Sequence, residues 1–234
     1  GPALKKQLSE LGLDLVLMAF TGGSNADEHL RSLEEQVEWQ RQLAPLFINA
    51  HSGSDRWNQD QAKRFYEGAL KIESRAGVPI AHETHRGRVF FNPWVTRDII
   101  QEFPELKLTC DYSHWVCVAE RLLDDEKEIL ELCARHAMHI HGRVGYEEGP
   151  QVPDPRAPEY RGYLEAHERW WDMIWNSQQA RGVAVSTLTP EFGPPSYMHT
   201  LPYTNVPVAD LWDICNWMAK REAERFRARP GPKE

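Results

Sequence analysis

Val78-Pro-Ile-Ala-His-Glu-Thr-His85 is a short apolar run that ends in chemically active side chains. In an extended strand successive side chains point to opposite faces, so Glu83 and His85 share one face and His82 takes the other. The same pattern recurs downstream. Leu108-Thr-Cys-Asp-Tyr-Ser-His114 brings Asp111 to a strand end with His114 just beyond it. Met138-His-Ile-His-Gly142 puts His139 and His141 on one face, His141 nearer the end, and Leu188-Thr-Pro-Glu-Phe-Gly193 delivers Glu191. Parallel β/α barrels build their active sites at the C-terminal ends of their strands, which is where these residues fall.

Working outward, β-rich runs are predicted at Leu13 to Phe20, Pro45 to Ala50, Val78 to His85, Leu106 to Asp111, Ala137 to His141 and Val183 to Glu191. Between them lie stretches whose apolar residues recur at three- and four-residue spacing: Glu28 to Leu43, Gln59 to Ala76, Trp94 to Phe103, Val118 to His136 and Leu164 to Gln179. Alternation of this kind specifies repeated βα units around a parallel sheet. The expected fold class is α/β, a (β/α) TIM-type barrel with six recognisable units, two short of the usual eight, filling 1–234 as a single domain. Leu4 to Leu11 reads as the tail of a preceding unit. The expectation is that the first two βα units were removed, are supplied by another chain, or never existed. An exposed parallel edge invites pairing, so a homo-oligomer is expected. Gly142 to Tyr160, rich in Pro and Gly, reads as an ordered loop over the site.

Composition narrows the partners. The formal charge of −8, from 35 acidic and 27 basic residues, disfavours a polyanion, so no nucleic acid is expected. The basic run Lys220 to Arg229 carries interspersed acids and reads as a solvated helix face. Cys110, Cys117, Cys133 and Cys215 form no C-x-x-C pair, which suggests reduced thiols and a cytoplasmic setting. No apolar run approaches the length of a membrane span, so no membrane partner is expected.

Two glutamates, one aspartate and one histidine at consecutive strand ends make an oxygen-rich mixed donor set. Glu83, Asp111, His141 and Glu191 are therefore the candidate ligands of one divalent metal ion, with Mn, Mg, Co and Zn all suited and the choice among them open. His82-Glu-Thr-His85 is not the zinc-protease motif H-E-x-x-H, because its histidines are three apart and it lies on a strand. His51, at an earlier strand end, reads either as a polar mouth histidine or as a further metal or substrate ligand. His85 is expected to orient Glu83 or to bind substrate hydroxyls, and His139 to be a hydrogen-bonded core histidine. Trp57, Trp94 and Trp115 follow strand ends and serve either as stacking surfaces for a sugar or as packing residues.

The order Glu, Asp-x-x-His, His, Glu resembles the metal site of the xylose isomerase-like superfamily of sugar isomerases, epimerases and apurinic endonucleases, over roughly Leu13 to Gly193. That resemblance implies that the two absent strands are the first and second. It also implies Glu83 and Glu191 as the catalytic bases of an isomerase or epimerase acting beside a carbonyl on a small sugar, keto-sugar or polyol. His114 takes the place of a histidine that contacts substrate or a second metal, and Arg143 lies near a substrate-binding arginine, though closer to His141 than in typical ketose epimerases. His51 resembles a metal-binding histidine of the apurinic endonuclease branch. Two other readings stand beside this one: a metal-dependent hydrolase or lyase of that branch, and a non-catalytic sugar-binding or assembly protein.

Overall fold

A computed structural model describes residues 2–230. Its described residues hold six strands: β1 (Val16–Phe20), β2 (Phe47–His51), β3 (Ile80–Glu83), β4 (Lys107–Cys110), β5 (Ala137–His141) and β6 (Thr187–Thr189). They form one sheet in the order β1-β2-β3-β4-β5-β6. Its registers, such as Ala50↔His82 between β2 and β3 and His141↔Thr189 between β5 and β6, are parallel. Eight α-helices alternate with these strands: α1 (Pro2–Glu10), α2 (Ala26–Gln40), α3 (Gln59–Ala76), α4 (Pro93–Glu102), α5 (Ser113–Ala119), α6 (Lys127–His136), α7 (Arg161–Ala180) and α8 (Leu211–Arg227). This is the expected α/β, TIM-type arrangement of βα units.

The chain divides into two compact units, Gly1–Thr109 and Cys110–Glu234. In the first, β2 and β3 are buried along their whole length, as strands covered on both faces must be. Polar caps set where the helices begin. Asn25 accepts from the Glu28 amide to open α2, Asn58 and Gln61 form a reciprocal capping box at α3, and Asn92 caps α4 ahead of Pro93. Gly77, in the left-handed region at φ +66°, ends α3 and turns the chain into β3. Behind β3, Tyr66 stacks on Phe90 at 4.6 Å and meets His82 edge-on. Burial holds the His82 imidazole down at about 3, so it is a neutral core group on the face opposite Glu83.

In the second unit, Tyr112, Trp115, Trp170 and Trp171 are almost wholly buried. Trp115 is thus packing rather than a stacking surface. The helix expected over Val118 to His136 is broken: α5 begins earlier, at Ser113, and ends where Glu120 adopts φ +51°, and a turn of 3-10 helix at Asp124–Glu126 precedes α6. The three consecutive acids there favour a new helix N-terminus over the interior of a continuous helix. The strand expected over Val183 to Glu191 shortens to three residues, since Pro190 has no amide hydrogen to continue the ladder and Val183 and Val185 are exposed. The run Lys220 to Arg229 is more than a solvated face, because Arg225 and Arg229 bind Asp172 of α7 at 2.7 and 3.0 Å and Arg221 binds Glu168. No described helix is long and apolar enough to cross a membrane.

Candidate metal centre

The first unit supplies a cluster around Glu83. Glu83 ends β3, is 1% exposed, and its Oε2 accepts from Asn49 Nδ2 at 2.6 Å and pairs with His51 Nε2 at 2.8 Å. Asn49 and His51 lie two apart on β2, so the strand period points both at the same carboxylate. His85 stacks on His51 with centroids 4.3 Å apart, and its Nδ1 lies 2.5 Å from the Arg86 carbonyl. Donor atoms of His51, Glu83 and His85 all lie within 4.8 Å of one another.

The second unit supplies a cluster around Asp111, which directly follows β4 and is fully buried. Its Oδ1 accepts from the Ser113 amide at 3.1 Å and from the Ser113 hydroxyl, so the start of α5 fixes the carboxylate plane. Its Oδ2 accepts from Arg143 Nη2 at 2.9 Å and Nε at 3.2 Å, with His114 Nε2 at 3.7 Å. His141 ends β5 and places Nδ1 2.5 Å from Oε2 of Glu191, which Arg143 Nη2 also reaches at 2.8 Å. Donor atoms of Asp111, His141 and Glu191 lie within 4.8 Å of one another. His139, one layer deeper, bridges Thr187 and Thr189 of β6 at 2.8 and 2.9 Å, the core role expected of it.

Convergent carboxylate oxygens with one imidazole nitrogen suit a hard or borderline divalent ion, and the donor set of the second cluster fits one on that count. The charge of buried Asp111 is already met by Arg143.

Several contributors were not singled out from the sequence. Asn49 carried a signal, its position two residues before His51. Ser113 and Tyr197 did not, and the Tyr197 ring lies 4.7 Å beneath the Arg143 guanidinium. Nor did His167 of α7, whose Nδ1–H donates to the Tyr163 carbonyl at 2.8 Å while Nε2 accepts from the Gly145 amide at 3.2 Å. Burial lowers this imidazole to about 4, in keeping with the neutral tautomer that those two partners require. It pins the loop after β5 to α7.

No family model matches the chain, and no curated protein matches it. Solved structures do. A probable 3-DHS dehydratase, AsbF, from Bacillus anthracis is similar at a TM-score of 0.60 and 14% identity, over 96% of this chain and 82% of that one. The 3-keto-D-glucoside 4-epimerase YcjR from E. coli is similar at 0.56 and 13%, over 93% and 83%. Endonuclease IV from Thermus thermophilus is similar at 0.54 and 17%, over 94% and 80%. At these identities the likeness establishes the fold alone, the parallel β/α arrangement of a TIM-type barrel.

Proposed function

We propose that the chain is a divalent-metal-dependent isomerase or epimerase that moves a proton beside the carbonyl of a small sugar, keto-sugar or polyol, with 1–234 acting as one barrel domain. The observation that carries this reading is the strand order. β3, β4, β5 and β6 are consecutive neighbours in one parallel sheet, and Glu83, Asp111, His141 and Glu191 stand at or just after their C-terminal ends. These four would hold one ion, Mn, Mg, Co or Zn, which supplies Lewis acidity to neighbouring substrate oxygens.

Glu83 and Glu191 are the proton-transfer pair: one takes a carbon-bound proton and the other returns a proton from the opposite face. Asn49 and His51, both on Oε2, hold the Glu83 carboxylate in one orientation, and Ser113 does the same for Asp111. His114, His51 and His85 are the substrate-binding groups of this reading. The 4-epimerase among the similar structures inverts a carbon next to a ketone, which is the same class of step. A homo-oligomer in the cytoplasm, with no nucleic-acid partner, completes the reading.

A second reading, a hydrolase or lyase with more than one metal, is favoured by the His51, Glu83, His85 cluster and by the likeness to endonuclease IV. Elemental analysis of the metal-replete protein separates them. One equivalent, lost in Glu83→Ala/His141→Ala, supports the isomerase, and two or more favour the hydrolase. A metal-free protein overturns both. With one ion bound, deuterium from solvent should enter a keto-sugar at the carbon beside the carbonyl, and Glu191→Gln should abolish that exchange while retaining metal. Full exchange in the variant removes Glu191 from the chemistry.

A further inference from the structure

Arg143 sits unlike a substrate-binding arginine. It is 2% exposed, its Nη2 lies 2.9 Å from Asp111 Oδ2 and 2.8 Å from Glu191 Oε2, and its guanidinium rests on the Tyr197 ring. One positively charged nitrogen thus spans two carboxylate oxygens that the metal reading assigns to the ion. We propose that Arg143 is a placeholder cation: it holds Asp111 and Glu191 together in the metal-free chain and competes with the metal for them. This rests on the metal reading of the site.

The physical need is plain. Two carboxylates whose oxygens come within 4.8 Å, one of them fully buried, repel strongly in a medium that screens less than water. A guanidinium answers that repulsion because it stays protonated under all ordinary conditions and offers several donors in a rigid fork, which Nε and Nη2 use together on Asp111. Tyr197 adds a cation–π surface that keeps the group in place. A divalent ion seeking the same oxygens must displace Nη2 or share them with a like charge a few ångströms away, and both lower its affinity. Arg143 is on this view a positioning residue for the ligands.

The test compares wild type, Arg143→Gln and Arg143→Lys, metal-free and with Mn²⁺ or Zn²⁺, by thermal melting and by competition against a chromogenic chelator. The metal-free Gln variant should melt roughly 3–6 °C lower than wild type. It should also bind metal at least about tenfold more tightly, the effect expected of removing a like charge at short range. Saturating metal should then narrow the melting gap. Arg143→Lys, which keeps the charge but loses the fork, should fall between the two, and it serves as the metal-free reference where the Gln variant does not fold. A Gln variant that melts with wild type, or that binds metal equally or more weakly, overturns the placeholder role while leaving the metal reading intact. Absence of binding in all three proteins overturns the metal reading, and the proposal with it.

Discussion

Gly145 offers a direct test of how tightly the loop after β5 is held. A Cβ added there would lie 2.5 Å from the Ser113 carbonyl oxygen, 2.8 Å from Ser113 Cα and 2.9 Å from Ser113 Cβ. Ordinary contact needs about 3.5 Å, so Gly145→Ala demands a displacement of roughly 1 Å. Two of those neighbours are backbone, which no rotamer change relieves. The other side of the loop is fastened through the Gly145 amide to His167. Overpacking of this sort costs about 1–3 kcal/mol, and straining the hydrogen bond to His167 adds about 1 kcal/mol. For a urea slope of about 2–3 kcal/mol/M, the midpoint should fall by roughly 1 M. Tryptophan fluorescence reports it, because Trp115, Trp170 and Trp171 are buried in the same unit. Ser113 also orients Asp111, so metal affinity should drop alongside stability. An unchanged midpoint with unchanged metal affinity would refute the claim that this loop is tightly seated.

Burial lifts the Glu222 carboxyl to about 7 despite the opposing pull of Arg225, so the folded state binds a proton that the unfolded chain releases near 4.5. Its contribution is fully present below about pH 4.5 and is lost as pH rises to about 7, whereas the lowered His167 has the opposite sign below its ordinary value of 6.5. Glu222→Gln should remove a decline on the order of 2 kcal/mol between those limits, and a pH profile of melting parallel to wild type refutes it. Burial also pushes the Cys110 thiol up to about 12 and Cys133 well above its usual value, while Cys117 and Cys215 are partly exposed. Iodoacetamide followed by mass spectrometry should therefore mark Cys117 and Cys215 in the native protein, with Cys110 and Cys133 reacting only after unfolding. Equal native labelling of all four contradicts that packing.

The sequence was most readable where period and punctuation agreed. Gln59–Ala76 is bounded by Asn58 and Gly77, and Ala137–His141 lies between a helix and a glycine, so both elements stand at their expected limits. It was least readable where an amphipathic pattern ran through a break. Nothing in Val118 to His136 marks Glu120 as left-handed, because that conformation follows from how α5 ends rather than from the residue itself. Strand-end carboxylates and histidines were visible because strand period and barrel geometry constrain them. Their partners were not: Ser113, Tyr197 and His167 meet Asp111, Arg143 and Gly145 through tertiary packing, for which spacing along the chain carries no signal.

The acids of the two units are each provided for at home. Glu83 draws on Asn49 and His51, within its own half of the chain, while Asp111 and Glu191 draw on Ser113, His141 and Arg143 within theirs. A carboxylate that already accepts such bonds offers its remaining lone pairs in a fixed direction, so the loss of one donor, Asn49 for Glu83 or Ser113 for Asp111, would cost that acid its aim before it cost the fold.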